Sequence, residues 1–306
     1  MNVSAQKNQP LIRFGLIADI QYADCDPAIN RFYRNSLKKT DDAVSCFNEQ
    51  KVQFTINLGD VADRNFAELD TVFKHLARLE KKLYNTTGNH DYKGVTNNAI
   101  LYEKFDMPSE FYFFWEKNWI FILLNTNEIA SYANVAGTEK EQELSEMRSR
   151  IKSSGGIQGA EWNGGIGANQ MKWFNDLLSK AEKSGDNVLV FSHHPLYPQT
   201  GFTALNNMEI LETIGRYSCV KAVFSGHHHA GGFAYYKNIP VITVEGVVET
   251  ENDNSFGIVK IYDDQIVLEG KGRMTSRTLK LQLNSLPGDF PIAESSLTFH
   301  STRKNL

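Results

Sequence analysis

Histidine, aspartate and amide side chains are concentrated in a few short segments of this 306-residue chain. Six of the eight histidines lie in these segments, namely His90, His193, His194, His227, His228 and His229. Imidazole nitrogens, carboxylate oxygens and amide oxygens together form a mixed ligand set that suits divalent manganese, iron, zinc or similar ions. The residue types therefore indicate a metal site.

Each polar segment comes at the end of a predicted strand. The five segments are Asp19-Ile20-Gln21, Asp60, Asn89-His90, His193 and His227-His228-His229. In open α/β sheets the carboxyl ends of the strands point into one crevice, so we expect these side chains to converge. The set holds too many ligands for one ion, whereas a pair of metal ions bridged by a carboxylate would use them all.

Each segment taken alone also has an ordinary structural explanation. Gly-Asp and Gly-Asn are common turn dipeptides, and an aspartate after a strand can simply cap a turn. Because all five segments occur in one chain, we favour the metal site. His194 and His228 neighbour predicted ligands, and we expect them to lie beside the metal centre or at the surface rather than to coordinate.

Three further features each allow two interpretations. Arg64 can form a structural ion pair or contact a phosphate group. The loop WNGGIG (162–167) can contact substrate or simply turn the backbone. Trp162 and Tyr22 can stack on a nucleobase or pack against neighbouring side chains.

Short apolar runs alternate with helical patterns through the first half of the chain, which predicts an α/β sheet with helices on its faces. Strands are predicted at 11–18, 52–58 and 188–191 and in the run VKAVF, and FYFFW followed by WIFILLN predicts a hairpin. Helices are predicted at about 33–50, 66–79, 138–152, 171–181 and 204–216. From FAYY onward the pattern predicts strands only.

The composition shifts along the chain predict one domain with two special segments. The domain is predicted to span 1–282. Within it, 127–167 is rich in glycine and weak in periodicity, so we expect an inserted active-site loop region. Residues 283–306 are predicted to form a loosely attached C-terminal tail.

The charge balance argues against nucleic acid as a partner. Lys and Arg number 32 against 36 Asp and Glu, so no basic excess is available to neutralise phosphates. No apolar run approaches the length of a membrane span, and the first residues lack the apolar core of a signal peptide. The cysteines Cys25, Cys46 and Cys219 are widely spaced and odd in number, which predicts reduced thiols and a cytoplasmic location.

The polar segments also resemble the five sequence blocks of the calcineurin-like metallophosphoesterases. The matching residues are Asp19-x-Gln21, Gly59-Asp60-x-x-Asp63-Arg64, Gly88-Asn89-His90-Asp91, His193-x-Pro195 and Gly226-His227-x-His229. A glutamine in the first block, with QYAD, RFYRNSL, WNGGIG, GHHHAGGF and VEGVVETENDNSFG, further resembles the manganese-dependent ADP-ribose/CDP-alcohol diphosphatases. The similarity covers residues from about 11 to 282. It implies a four-layer α-β-β-α sandwich with two facing mixed sheets flanked by helices.

The family pattern, carried over position by position, implies a ligand set for two divalent metal ions. One ion would be held by Asp19, Asp60 and His229, with Gln21 where a histidine is usual. The second would be held by Asp60, Asn89, His193 and His227, so that Asp60 would bridge the ions. An amide oxygen at Gln21 is a harder and weaker ligand than imidazole, which favours Mn(II) or Mg(II) or leaves that site labile. Mn(II) is the expected metal, with Fe, Mg or Zn as alternatives.

The same resemblance implies how the reaction would proceed. Two divalent ions, two carboxylates and a bridging hydroxide leave a net charge of about +1 in the crevice, which attracts phosphate esters and diphosphates. The bridging hydroxide would attack phosphorus in line with the leaving oxygen. His90 would face the leaving group, and Asp63 would orient His90.

The leading functional hypothesis is a dimetal hydrolase that cleaves the diphosphate bond of ADP-ribose or CDP-alcohols such as CDP-choline. Its partner would be a small nucleotide diphosphate, with no obligate protein partner implied. One alternative is a cyclic-nucleotide phosphodiesterase or phosphomonoesterase of the same superfamily. Others are a scaffold that has lost catalysis, favoured only by Gln21, and a DNA-end nuclease, which the charge balance disfavours.

Overall fold

A computed structural model describes residues 9–281 of the chain as two packed sheets with helices outside them. In chain order the strands are β1 (Ile12–Ile17), β2 (Phe54–Asn57), β3 (Leu83–Asn85), β4 (Tyr112–Glu116), β5 (Trp119–Leu123), β6 (Asn187–Ser192), β7 (Val220–Ser225), β8 (Ala230–Tyr236), β9 (Ile239–Glu245), β10 (Ser255–Ile261), β11 (Gln265–Gly272) and β12 (Arg277–Lys280). The helices are α1 (Asn35–Glu49), α2 (Glu68–Leu76), α3 (Asn98–Lys104), α4 (Glu139–Ser154), α5 (Ala168–Ser184) and α6 (Asn207–Ile214), and a 3₁₀ turn spans His90–Tyr92.

Most of these elements lie where the apolar periodicity predicts them. Helix α2 is shorter than the predicted span 66–79, because the backbone forms turns after Leu76. Helix α3 was not predicted, since it has only seven residues and buries one side chain, Leu101, which is too little for a periodic pattern. The predicted C-terminal tail, 283–306, lies outside the described residues.

Each sheet has six strands and mixes parallel with antiparallel pairs. The first has the order β12-β11-β10-β1-β2-β3, in which β1, β2 and β3 run parallel. The second has the order β4-β5-β6-β7-β9-β8, in which β5, β6, β7 and β9 run parallel. Two mixed sheets flanked by helices confirm the predicted fold class.

The two sheets pack face to face through aromatic side chains. Phe14 of β1 lies 5.6 Å from the ring of Phe121 on β5 and 6.0 Å from Phe191 on β6. Phe191 in turn stacks on Phe224 of β7 at 5.6 Å. All four side chains are fully buried. Apolar burial between the sheets therefore fixes one sheet against the other.

Strand β5 shows why both faces of the second sheet are covered. Its alternate residues Phe121 and Leu123 belong to the core between the sheets, whereas Ile120 and Ile122 belong to a second core beneath α5 and α6. Successive side chains of a strand point to opposite faces, so an entirely apolar strand needs a layer on each side. On the first sheet, α1 and α2 supply that outer layer through residues such as Phe47.

The segment 127–167 contains α4, and its first and last residues contact each other. Ile129 and Gly165 form a backbone bridge that closes the segment. Leu144, Met147 and Ile151 of α4 are buried and belong to the same hydrophobic cluster as the residues between the sheets. The segment is thus anchored by apolar packing at its helix and by hydrogen bonds at its base.

Truncation of Phe121 tests whether the facing aromatic rings fix the two sheets. Phe121→Ala should lower the free energy of unfolding by about 3–5 kcal/mol, because the side chain is fully buried and the cavity cannot collapse between two sheets. Urea denaturation monitored by circular dichroism measures this change. Ile100→Ala is the control, since Ile100 is 51% exposed and its loss should change stability by no more than about 0.5 kcal/mol.

Candidate metal centre

The carboxyl ends of the parallel strands from both sheets meet at one edge of the sandwich. Asp19 and Gln21 follow β1, and Asp60 follows β2. From the other sheet, His193 follows β6, and His227 and His229 follow β7. Backbone hydrogen bonds join neighbouring loops here: Asp19 N–H donates to Gly59 O (3.0 Å) and Gly226 N–H donates to His193 O (3.0 Å).

The seven predicted metal ligands form one continuous cluster at this edge. Ligand atoms of Asp19, Asp60 and His193 all lie within 4.8 Å of one another. Asp19 Oδ1 lies 3.6 Å from His229 Nε2, and the Asp19 carboxylate accepts the backbone N–H of His227 at 3.0 Å. Asn89 Oδ1 lies 3.1 Å from His193 Nε2. The structure thus brings together residues separated by more than 200 positions in the chain.

Gln21 connects the two sheets inside this cluster. Its Nε2 donates to Asp60 Oδ2 at 2.8 Å and lies 3.3 Å from His229 Nε2. Its Oε1 is buried and makes no hydrogen bond to any residue within 9–281. The oxygen and nitrogen of a side-chain amide have nearly the same shape. A 180° rotation of the Gln21 amide would therefore direct Oε1 at Asp60 and His229. An amide oxygen without a partner among carboxylates and imidazoles fits a bound cation.

Four of the seven residues adopt left-handed backbone conformations. The φ angles are 55° at Asp19, 44° at Gln21, 55° at Asp60 and 67° at His227. Such conformations are costly for non-glycine residues and persist where the surrounding structure imposes them. Here they turn each side chain out of its strand direction toward the shared edge.

Two glycines allow the loops after β2 and β3 to approach each other. A Cβ at Gly88 would lie 2.1 Å from Asp60 Oδ1, and a Cβ at Gly59 would lie 2.4 Å from the backbone nitrogen of Gly88. Gly59 also has a φ of 93°, which favours glycine. The Gly-Asp and Gly-Asn pairs are therefore turns and also the means by which Asp60 and Asn89 come together.

The buried carboxylate of Asp91 holds these turns in place. Its Oδ2 accepts the backbone N–H groups of Asp60 and Gly88, both at 2.8 Å. Its Oδ1 accepts those of Val61 (2.8 Å) and Ala62 (3.1 Å). Burial and then the charge of Asp60 raise the pKa of Asp91, whereas these N–H donors favour its ionised form. Asp91 is therefore a structural anchor for the Asp60 loop.

Each histidine predicted as a ligand has one ring nitrogen that contacts an acceptor outside the predicted ligand set. His193 Nδ1 lies 2.8 Å from Leu58 O, and His229 Nδ1 lies 3.1 Å from Glu249 Oε1. His227 instead places Nε2 3.1 Å from Asn163 Oδ1. Such acceptors fix the tautomer, so that the remaining nitrogen carries a lone pair directed at a cation.

His194 differs from these three histidines. Its Nδ1 lies 2.9 Å from Thr126 Oγ1 and its Nε2 lies 3.1 Å from Trp162 O, so neither nitrogen is left for a metal ion. Burial, together with the charge of His193, lowers the pKa of His194 to about 3 and keeps it neutral. Its ligand atoms lie near those of His193 and His227, but its hydrogen bonds make it a structural neighbour of the cluster.

His90 and Asp63 form a second pair beside the cluster. His90 Nδ1 lies 2.9 Å from Asp63 Oδ1, and the His90 backbone N–H donates to Asp60 Oδ1 at 2.8 Å. Burial lowers the pKa of His90, but the charges of Asp60 and Asp63 outweigh it and raise that pKa. His90 can therefore hold a proton next to the centre.

The cluster contains two buried carboxyl groups, Asp19 and Asp60, whose negative charges lie close together. Burial and then the charge of Asp60 raise the pKa of Asp19 well above its usual value. Burial also acts against ionised Asp60, but His193 and His90 overcome it and bring its pKa down to about 2. Two fully buried carboxylates that destabilise each other need positive charge between them. The donor set and its charge both fit divalent cations.

The features left open by the sequence are placed as follows. Arg64 forms an ion pair with Asp63 (2.8 Å) and donates to the hydroxyl of Tyr33 (3.2 Å), so its contacts are structural. Asn163 of the WNGGIG loop bonds His227, so that loop both turns and reaches the cluster. Trp162 is 50% exposed, whereas Tyr22 is half-buried against the core.

Sequence reasoning gave no role to Glu249 or Asn163, although both lie in recognised motifs. Glu249 belongs to the quoted run VEGVVETENDNSFG and Asn163 to WNGGIG. An acidic or amide residue in a motif without a predicted ligand role is the signal that could have identified them as partners of ligand histidines. Their contacts depend on loops that pack together only in the folded chain.

Comparisons with known proteins agree with this geometry. A family model described as calcineurin-like phosphoesterase matches residues 12–231. A manganese-dependent ADP-ribose/CDP-alcohol diphosphatase from Bos taurus is 28% identical over 322 aligned positions, which cover 90% of this chain and 96% of that protein. One of the same name from Oryza sativa subsp. japonica is 29% identical and covers 89% and 95%, respectively.

A solved structure is similar over the same extent. A dimetal phosphatase from Danio rerio superimposes with a TM-score of 0.81 at 25% identity, covering 90% of this chain and 100% of that chain. Within residues 9–281, no helix has both the length and the apolar character needed to cross a lipid bilayer.

Substitution of Asp91 tests its role as an anchor of the ligand loops. Asp91→Asn should lower the free energy of unfolding by about 3 kcal/mol, because the new NH₂ group faces two backbone N–H donors and loses their hydrogen bonds. Urea denaturation of the metal-free protein isolates this effect from cation binding. Asp70→Asn, an exposed carboxylate paired with Lys104, should change stability by less than about 0.5 kcal/mol. Equal losses in the two variants would contradict the assignment.

Proposed function

The chain belongs to the calcineurin-like phosphoesterase family, and from that premise we propose that it is a manganese-dependent hydrolase of nucleotide diphosphates such as ADP-ribose and CDP-alcohols. The observation that carries the proposal is the convergence of carboxylates, amides and imidazoles from both sheets at one edge. Relatives named for this activity align over about nine-tenths of the chain. We include residues 1–282 in one catalytic domain, with 127–167 as its active-site insertion.

The residues that would hold two divalent ions follow from the contacts already described. We assign Asp19, Gln21, Asp60 and His229 to one ion and Asp60, Asn89, His193 and His227 to the other. Asp60 is the shared ligand because it contacts Gln21 on one side and approaches His193 (3.6 Å) on the other. When bound, the ions would activate water and stabilise negative charge on the phosphate oxygens. The unpartnered Gln21 Oε1 and the like-charged pair Asp19 and Asp60 support this assignment.

The reaction consumes one water for each diphosphate bond. The water oxygen forms a bond to one phosphorus while the bond from that phosphorus to the bridging oxygen breaks. The bridging oxygen leaves with the second phosphorus, and both products are phosphomonoesters. Because the second pKa of a phosphomonoester is about 6, total substrate charge changes from about −2 to about −4 at neutral pH and about two protons reach solvent.

His90 and Asp63 are assigned to the leaving-group side. The Asp63 carboxylate contacts His90 Nδ1, which fixes the ring and favours its protonated form. A proton held there can be given to an alkoxide that leaves from a phosphomonoester. A phosphomonoester that leaves from a diphosphate is a much weaker base and needs that proton less.

The proposed compartment is the cytoplasm. Cys25, Cys46 and Cys219 are all free thiols, as expected for a protein kept in a reducing environment. The proposed partner is a small-molecule substrate, with no nucleic acid, membrane or obligate protein partner required for the chemistry.

Product analysis tests the proposed reaction. The manganese-loaded protein should convert ADP-ribose to equal amounts of AMP and ribose 5-phosphate, and in ¹⁸O-labelled water one product should carry a single ¹⁸O atom. Chelation of the metal should abolish the reaction. No AMP from a protein shown by elemental analysis to hold manganese would refute the proposed substrate class.

A matched pair of variants separates loss of the metal from general damage. His193→Gln should weaken Mn²⁺ binding by about 10-fold or more, measured by electron paramagnetic resonance of free Mn²⁺, because it removes a nitrogen ligand. His75→Gln on α2 is the control, since His75 contacts Asp41 away from the cluster. Equal Mn²⁺ affinity in both variants would rule out His193 as a ligand.

His90→Ala tests the assignment of the leaving-group acid. The rate should fall about 10²-fold or more on an alkyl phosphomonoester such as glycerol phosphate, where the leaving alkoxide needs a proton, and by less on ADP-ribose. Steady-state kcat/KM on the two substrates measures the difference. The same loss on both substrates would show that His90 does not act as this acid.

A further inference from the structure

Lys39 is a buried cation that the proposed reaction does not use. It lies on α1, and only 3% of the residue is exposed. Burial lowers the pKa of Lys39 to about 8, so the side chain is charged at neutral pH. No carboxylate within residues 9–281 forms an ion pair with it, although buried charges are usually paired. The fold therefore keeps a positive charge at a position where an apolar side chain would avoid the cost of desolvation.

Three backbone carbonyl groups accept hydrogen bonds from this ammonium. Lys39 Nζ donates to Val247 O (2.9 Å), Glu249 O (2.8 Å) and Thr250 O (2.6 Å). An ammonium has three N–H donors, so these contacts match its hydrogen-bonding capacity. No backbone N–H within residues 9–281 donates to the same three carbonyls. Lys39 is therefore their hydrogen-bond donor inside the fold.

The three carbonyls belong to the 247–250 loop, which lies in the connection between β9 and β10. Thr250 has a φ of 64°, a left-handed conformation that is costly for a β-branched residue. Such a conformation persists where the surrounding structure imposes it. Asn35, one turn before Lys39 on α1, donates to Glu251 O at 2.8 Å. Helix α1 thus fixes this connection through two side chains.

Glu249 links the 247–250 loop to the metal centre. Its carboxylate Oε1 lies 3.1 Å from His229 Nδ1, while its backbone oxygen accepts the hydrogen bond from Lys39. A carboxylate behind a ligand histidine fixes the orientation of the ring and makes its other nitrogen a better ligand. The position of this carboxylate depends on the backbone that carries it, and Lys39 holds that backbone.

We propose that Lys39 is a positioning residue of the metal centre, whose ammonium holds the 247–250 loop so that Glu249 orients His229 toward its ion. This inference rests on the two ions assigned in the proposed function. The Lys39 ammonium donates to backbone carbonyls and to no proposed ligand, so its effect passes through Glu249. Lys39 therefore supports the ion assigned to His229 and not the ion assigned to His193.

Stepwise binding of Mn²⁺ to the wild-type protein and its variants tests the proposal, measured by electron paramagnetic resonance of free Mn²⁺. His229→Gln identifies which binding step belongs to its ion. Lys39→Met keeps the length of the side chain without the charge. It should weaken the His229 step by about 5-fold or more and leave the other step within about 2-fold. A lysine that only stabilised the fold would change both steps equally or neither, and either result would overturn the proposal.

A double-mutant cycle shows whether Lys39 acts through Glu249. Glu249→Ala removes the carboxylate beside His229 and should weaken the His229 step by about 10-fold or more. Adding Lys39→Met should weaken it further by less than about 2-fold, because the contact that Lys39 supports is already lost. Losses that multiply in the double variant would show that the two residues act independently and would contradict the proposal.

Lys38→Met is the matched control, because it removes the same charge one residue earlier. The Lys38 side chain is 83% exposed and pairs with Asp42 at 3.1 Å. Both Mn²⁺ steps should stay within about 2-fold of wild type in this variant. A larger change would show that the loss of any positive charge from α1 weakens binding.

Lys39→Arg provides a second variant in case Lys39→Met does not fold, as judged by circular dichroism. It keeps the charge and the donors on a wider head group, which fits three convergent carbonyls less well. It should weaken the His229 step by about 3-fold and leave the other step unchanged. Equal effects on both steps, or no effect on either, would overturn the proposal.

The metal titration is independent of catalysis, so it separates this inference from the proposed substrate. A wild-type protein that binds two Mn²⁺ ions but cleaves no ADP-ribose would refute the proposed function and leave the Lys39 result standing. A wild-type protein that binds fewer than two ions would overturn the two-ion assignment and the Lys39 proposal together.

Discussion

The rest of the site depends on two carboxylates, Asp19 and Asp60, that are buried side by side where the sheets meet. Neither is exposed to solvent, and each disfavours ionisation of the other. Burying like charges is expensive unless hydrogen bonds and positive charge surround them. Backbone N–H groups of His227 and His90 supply part of this compensation. Cations would supply the rest, so the repulsion between the two carboxylates would favour the binding of metal ions.

Hydrogen-bond acceptors around these two carboxylates hold the neighbouring side chains and backbone in place. Leu58 O, Asn163 and Glu249 each contact one ring nitrogen of a proposed ligand histidine, and Asp91 accepts hydrogen bonds from the backbone of the Asp60 loop. His194 differs from its neighbour His193, because both nitrogens of His194 contact groups outside the predicted ligand set, whereas the second nitrogen of His193 contacts the predicted ligand Asn89. The contacts of the ring nitrogens therefore favour His193 over His194 as a ligand, although both lie close to the cluster.

Much of the fold was predictable because apolar periodicity reports burial directly. Strand β5 is apolar throughout and is covered on both faces, and β10, β11 and β12 form an antiparallel edge beside β1. Helix α3 escaped prediction because one buried leucine makes no period. The convergence of Asp19, Asp60 and His193 was predictable too, since parallel strands carry their following loops to the same edge.

The sequence by itself determined the strands, the loops that follow them and the ligand types in those loops, because these depend on local periodicity and on short motifs. Only the tertiary structure decided that Arg64 pairs with Asp63 and Tyr33. It also decided that Glu249 and Asn163 serve different histidines. Apart from the neighbours Asp63 and Arg64, these pairings join residues at least 20 positions apart in the chain. Whether such a hydrogen bond forms depends on a few tenths of an ångström in distance and on the donor angle. Such positions are set by the packing of whole sheets, which no local pattern encodes.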